Sequence, residues 1–362
     1  MKRQNLVVLG PGQIELVLED LPDVAEGGLL LRTLTSGLSA GTELAFVKGD
    51  HPGLHEHLDT ELGLFMPSSA PAAFPVRRLG YMEVARVEES RTEAFSVGDL
   101  VASPYGHATA HVSDPVREHV VPLPHDLDPV LGVYVAHLGP VCANGLLHAA
   151  ADATGQSVHR LDEGVRGRRV LVTGAGLIGL LTALMAQEHG AEEVVVVDAD
   201  PRRRALAEKL GMTALDAESD PALVIKTRWR HGPADHGADV VFQCRGRSSA
   251  LATALRSLRP QGTVIDLAFY TDGADAVRLG NEFHHNGLTL RSAQIGRVPR
   301  GTSPMWDRHR LSAETVRLLR ARGEQIREHL ITDVVDLHEA PRLMIDLAER
   351  RRHVLSAVFT VG

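Results

Sequence analysis

Aromatic residues are scarce in this chain, at 4% of 362 residues, and it holds only two cysteines, Cys142 and Cys244. Two thiols so widely spaced build neither a disulfide scaffold nor a cysteine-rich metal cage, and they suit a reducing compartment. No apolar run approaches the roughly 20 residues of a membrane span. The amino-terminal stretch breaks at Gly10-Pro11-Gly12 after too few apolar residues for a signal segment. Lysine and arginine are scattered through a chain of net charge −8, so there is no basic stripe for nucleic acid. A cytoplasmic protein without membrane or nucleic-acid partners is expected. Hydrophobic residues at 44% and charged residues at 23% are ordinary for a globular chain, and the length suggests two domains.

The strongest local pattern lies between Arg168 and Glu208. Val170-Leu171-Val172 reads as a buried parallel strand, and Gly174, Gly176 and Gly179 follow at once in G-x-G-x-x-G spacing. An apolar helical run through Leu177 and Ile178 reaches Glu188, and a β-branched strand then ends at Asp198. Strand, glycine turn, helix and a distant acid together make the dinucleotide fingerprint. Gly174 permits the tight turn, Gly176 lets backbone approach a pyrophosphate, and Gly179 lets helix and strand pack closely. The helix N-terminus supplies free N–H groups for phosphate. A carboxylate at Asp198 suits ribose hydroxyls and repels a 2′-phosphate, so the cofactor expected is NAD.

Before this pattern, residues 1–35 alternate short strands and turns, as an all-β barrel-like unit does. SGLSAGTE at 36–43 is a small-residue loop leading to a short helix near 44–48. Gly49 to Pro75 holds Pro52, Pro67, Pro71 and Pro75 with His51, His55 and His57; a segment that long serves a function or hides a short helix. Strands resume near Tyr81–Val87, Val97–Val101 and Arg117–Leu123, and helical periodicity from Pro129 to Ala151 marks a hinge between domains. Beyond Asp198 strands and helices alternate as in a doubly wound sheet, with Glu218 to Pro233 read as an irregular surface excursion.

On SGLSAGTE, Val97-Gly98-Asp99, the glycine fingerprint and Ala238-Asp239-Val240-Val241-Phe242 with Gly246, the chain resembles the medium-chain dehydrogenase/reductase superfamily, relatives of zinc alcohol dehydrogenase. The resemblance covers nearly the whole chain. It implies an α/β fold with a GroES-like catalytic domain at 1–140, a Rossmann NAD-binding domain at 141–300, and a segment at 301–362 that returns to complete the first. The S-G-x-S-x-G-T-E loop is similar to the bacteriochlorophyllide hydroxyethyl dehydrogenase group and its zinc-free relatives. Zinc members carry Cys where this chain has Ser39-Ala40, and Gly-His-Glu where it has Gly80-Tyr81-Met82-Glu83. Cys142 alone cannot hold zinc, and no metal is expected.

Hydride transfer without zinc needs hydrogen-bond donors or a titrating side chain at the substrate oxygen. By the resemblance Thr42 stands at the proton-relay hydroxyl, though a loop-capping threonine would look the same. Tyr81, at the zinc-histidine position, either donates its phenol or packs on the cofactor. His284, beside His285, either faces the cleft or hydrogen-bonds at a subunit interface. Arg203 is expected along the adenosine, with Cys244 and Gly246 lining the cofactor cleft near Arg245 and Arg247. The reading is an NAD-dependent, zinc-independent oxidoreductase of a small secondary alcohol or ketone, working as a homodimer paired through an edge strand at Leu288–Ile295. The alternatives are a quinone or enoyl reductase, and a dinucleotide-binding protein without catalysis.

Overall fold

The computed structural model describes residues 1–67, 74–270 and 273–362. The chain divides into two compact units, Met1–His137 with Ile326–Gly362, and Leu138–Gln325. The fold is α/β, one unit built on a mixed sheet and the other on a parallel one. Among the described residues no helix is long and apolar enough to cross a membrane.

The first unit contains β1 (Lys2–Gly10), β2 (Gln13–Asp20), β3 (Leu29–Leu38), α1 (Ala40–Lys48), β4 (Glu56–Asp59), β5 (Leu64–Pro67), β6 (Glu83–Ser90), β7 (Leu100–Ser103), β8 (Ala110–Ser113), β9 (Val121–Pro122) and the single-turn α2 (Pro129–Gly132). β3 reads LLLRTLTSGL and is buried along most of its length, as a strand covered on both faces must be. It pairs with β6 and β8, so the site-bearing loop after Leu38 springs from the best-anchored strand of this sheet. The barrel-like reading of residues 1–35 is refined: β1 and β2 form their own two-stranded sheet, joined to the rest by single bridges at Asn5 and Val8. Within 49–75 the structure has a helical turn at Pro52–Leu54 and the β4–β5 hairpin, while Pro71 lies outside the described residues. α1 stops at Gly49, whose φ of +80° lets its own N–H and that of Asp50 close on Phe46 and Ala45 carbonyls.

The second unit contains α3 (Leu138–Thr154), β10 (Arg169–Thr173), α4 (Leu177–Glu188), β11 (Glu193–Asp198), α5 (Pro201–Lys209), β12 (Thr213–Asp216), α6 (Pro221–Arg228), the small hairpin β13 (Arg230–Gly232) and β14 (Asp235–His236), β15 (Ala238–Gln243), α7 (Ser248–Ser257), β16 (Leu258–Asp266), β17 (Thr289–Ser292) and most of α8 (Arg308–His329). Its sheet is parallel throughout, in the order β12-β11-β10-β15-β16-β17. The order reverses beside β10, the place where doubly wound sheets bind ligands at the strands' carboxyl ends. Val194 to Val197 of β11 are all buried, each contributing about 1.5–3 kcal/mol relative to exposure.

Two differences from the sequence reading have physical causes. The stretch 218–233 is no irregular excursion: Pro221 starts α6, and Ile225 and Trp229, one turn apart, are buried, with the indole N–H donating to Glu193 at 2.7 Å. The return to the first unit begins at Ile326 where the sequence reading placed it at 301. The intervening segment belongs to the second unit through Trp306, which donates to the Val158 carbonyl, and Thr315, which packs on Gly139. The returning chain adds β18 (Asp333–Asp336), α9 (Ala340–Ala348) and β19 (Ala357–Thr360), and β19 pairs with β3. α9 places Leu343, Met344 and Leu347 in one core with Leu6, Leu44 and Val47.

Candidate functional site: a dinucleotide loop and a cluster of hydroxyls

In the second unit the glycine loop has the geometry its spacing demands. Gly174 sits at φ +100°, and a Cβ there would meet the Cβ of Arg245 at 2.9 Å. Gly179 is tighter still, because its Cβ would lie 1.7 Å from the Gly174 carbonyl oxygen. Gly176 differs: it is the N-cap of α4, has no side chain to cap the helix, and the nearest atom to a Cβ there is Arg203 Nη1 at 4.0 Å. The result is an uncapped helix N-terminus facing open space, which fits a diphosphate. Leu177 and Ile178 are half-buried on the first turn of α4, while the next eight residues are buried.

Asp198 ends β11 and is buried. Its two oxygens accept from Ala175 N–H and Asp200 N–H, each at 2.8 Å, which ties the strand tip to the glycine loop. Arg203 Nη1 stands 3.9 Å and Arg245 Nη1 3.7 Å from the same carboxylate. The three consecutive arginines of α5 separate as the helix turns: Arg202 pairs with Asp200, Arg203 approaches Asp198, and Arg204 reaches Asp216 at 2.9 Å. Cys244 lies at the end of β15 with its thiol held well above the usual range by burial, so it packs and does not attack. Gly246 is required by contact, since a Cβ would meet the Phe269 carbonyl at 2.1 Å. His284 is exposed ahead of β17, its ring edge-on to His285 at 5.5 Å.

In the first unit the structure brings together Thr42 and Tyr81, from segments far apart in sequence, and adds Ser39. Tyr81 Oη donates to Thr42 Oγ1 at 3.3 Å and shares a short hydrogen bond with Ser39 Oγ. All three residues are half-buried, and the His137 ring lies 4.4 Å from that of Tyr81. Burial raises the Tyr81 phenol above its usual value, the bonds from Ser39 and Thr42 act the other way, and the Glu43 charge raises it again. The phenol therefore stays protonated through neutral pH.

Behind these hydroxyls is a buried polar chain that the sequence reading missed. Glu43 Oε1 accepts the Ser39 N–H at 2.7 Å, Glu43 Oε2 bonds His107 Nε2 at 2.7 Å, and His107 Nδ1 bonds Ser36 Oγ at 2.8 Å. The resemblance to zinc alcohol dehydrogenases would imply zinc here, but the donor set does not fit it. The cluster offers neutral hydroxyls where Zn²⁺ takes thiolate, imidazole or carboxylate, and Glu43, the carboxylate beside it, is engaged on both oxygens. Among the described residues no three of His, Cys, Asp and Glu form a metal-holding group. His51 stacks on Phe46 and accepts the Gly53 N–H, while His55 and His57 are exposed. A charged cleft of about 560 Å³ in the second unit, lined by Arg259, Asp235 and Asp239 among others, opens at the amino ends of the parallel strands, away from the glycine loop.

The model of the zinc-binding dehydrogenase family matches residues 178–310. The D-guloside 3-dehydrogenase of Escherichia coli (strain K12) is 27% identical over 349 residues, 93% of this chain and 94% of that protein. Among solved structures, an alcohol dehydrogenase from Thermus sp. ATN1 superposes with a TM-score of 0.75 at 20% identity, over 99% of this chain and all of that one. A zinc-binding dehydrogenase from Sinorhizobium meliloti, solved with NADP, gives 0.72 at 19% identity over 99% of both chains. The chain is thus similar to zinc-binding dehydrogenases over residues 178–310 and to a dehydrogenase along nearly its whole length, and it shares the fold of solved alcohol dehydrogenases.

Proposed function

We propose that the chain is an NAD(H)-dependent, zinc-independent dehydrogenase that interconverts a secondary alcohol and a ketone on a small polyhydroxylated substrate in the cytoplasm. The observation that carries this reading is the hydroxyl cluster of Ser39, Thr42 and Tyr81, of which Ser39 and Tyr81 stand where zinc ligands would be expected, in a chain whose dinucleotide loop is intact. Gly174, Gly176 and Gly179 would hold the diphosphate, with Asp198 and Arg203 at the adenosine ribose. Bound NAD(H) supplies the hydride exchange with the reacting carbon. The chain's own part is the oxygen. In the reducing direction Tyr81 Oη gives its proton to the oxygen as negative charge develops there, Ser39 Oγ hydrogen-bonds the phenolate left behind, and a proton from solvent restores the phenol. The phenol stays protonated through neutral pH, so it has a proton to offer the substrate oxygen.

The sugar-derived substrate named for the Escherichia coli relative supports a secondary hydroxyl on a polyol or glycoside as the reacting group. The carboxylate at Asp198 supports NAD over NADP and weighs against the reductase alternative. A homodimer paired through β17 is part of the proposal, since an unpaired sheet edge invites a partner; a monomer in micromolar light scattering would remove that part. The test is Tyr81→Phe, which should lower kcat about a hundredfold, within the usual range for general acid catalysis, with NADH affinity unchanged. Wild-type turnover in the variant would refute the assignment.

A further inference from the structure

Ser39 occupies the N-cap of α1, where a serine hydroxyl ordinarily accepts a backbone N–H of the first turn. Here it caps nothing, and its hydroxyl turns to Tyr81. Glu43, at the fourth helical position, reaches back with its carboxylate to accept the Ser39 backbone N–H, a different donor from those a Ser39 hydroxyl would take. That carboxylate is fully buried and is held in turn by His107.

His107 is itself fixed from several sides. Its Nδ1 bonds Ser36 on β3, its backbone N–H donates to the Leu79 carbonyl at 3.0 Å, and its ring lies edge-on to Phe359. Gly80, at φ +90°, comes so close that a Cβ there would meet His107 Nε2 at 2.9 Å. One imidazole thus touches both the carboxylate that starts α1 and the loop that carries Tyr81.

We propose that Glu43 and His107 are positioning residues for the oxygen-handling hydroxyls. Glu43 fixes the Ser39 backbone by accepting its N–H, which sets the hydroxyl against Tyr81, and His107 pins that carboxylate and the Tyr81 loop in register. The proposal rests on the function given above for the Ser39–Tyr81–Thr42 cluster. Its structural half, the dependence of the Ser39 contribution on Glu43, is testable apart from that function.

The experiment is a double-mutant cycle between Ser39→Ala and Glu43→Ala in the full chain, read in thermal stability and in kcat and KM. With Glu43 present, Ser39→Ala should leave stability nearly unchanged, because the hydroxyl caps nothing, and should lower kcat. With Glu43→Ala the hydroxyl is no longer held against Tyr81, so Ser39→Ala in that background lowers kcat no further. Glu43→Ala alone should lower kcat about tenfold or more, within the range seen for displaced catalytic groups, with cofactor affinity unaltered. Glu43→Gln, whose amide can still accept from Ser39 N–H while His107 switches tautomer, should recover most of that loss and keeps the test valid if the alanine variant folds poorly. Equal kcat losses from Ser39→Ala in both backgrounds, or no recovery in Glu43→Gln, overturn the proposal. Coupled effects of Ser39→Ala and Glu43→Ala with no change in kcat from Tyr81→Phe would instead sustain the positioning and reject the function it serves.

Discussion

Two alanine substitutions in the glycine loop separate the demands of folding from those of the cofactor. At Gly179 an added Cβ meets the Gly174 carbonyl oxygen at 1.7 Å and the Val172 Cγ1 at 3.4 Å. Reaching an ordinary contact requires backbone to move by roughly 1.5 Å, an overpacking cost of about 1–3 kcal/mol. At Gly176 the same methyl meets nothing nearer than 4.0 Å, and φ −78° with ψ −176° is extended backbone open to any residue. Gly176→Ala should therefore change stability by less than about 0.5 kcal/mol. It should still weaken NADH binding by about 2 kcal/mol, roughly thirtyfold, because the methyl stands where the diphosphate must approach backbone. Thermal unfolding and NADH fluorescence titration of both variants check this. Gly179→Ala loses stability and affinity together, whereas Gly176→Ala loses affinity alone. Wild-type affinity in Gly176→Ala would refute the placement of the diphosphate on this loop.

Asp198→Ser should weaken NADH and admit NADPH, since it removes the like charge facing a 2′-phosphate and frees Arg203 and Arg245; tighter NADPH than NADH binding in the wild type would reject Asp198 as the discriminator. His148 on α3 is pushed down from 6.5 to about 4 by burial, helped by the Arg291 guanidinium. Below pH 6.5 the unfolded chain binds a proton there that the folded chain refuses, so stability present above 6.5 is lost as pH falls towards 4, by up to about 3 kcal/mol. Urea unfolding at pH 7 and pH 4.5 should show His148→Gln losing less than wild type over that interval; equal losses would contradict it.

The nucleotide half of the molecule was readable because its signals are local. Strand, glycines, helix and acid lie within one short stretch, each residue acting on near neighbours, and the three arginines of α5 diverge as helical geometry requires. The hydroxyl cluster was half readable. Thr42 and Tyr81 were named from the family pattern, but Ser39 was seen only as a missing ligand. Its role depends on where a cap hydroxyl turns, which the identity of the residue does not fix. Glu43 and His107 left no signal at all, because 64 residues separate them and their segments are brought together by long-range pairing, of β3 with β6 and β8 and of the His107 backbone with Leu6 and Leu79. Likewise the polar surface of 218–233 hid a helix whose buried face is only Ile225, Trp229 and their neighbours.

The claim that hydroxyls, and not a metal, manage the substrate oxygen is tested most directly by ketone reduction with NADH after exhaustive chelation, with zinc measured in the same sample. The account predicts substoichiometric zinc, turnover equal before and after chelation, and no stimulation when zinc is returned. About one tightly bound zinc per chain, with activity that disappears on its removal and recovers on its return, would contradict it.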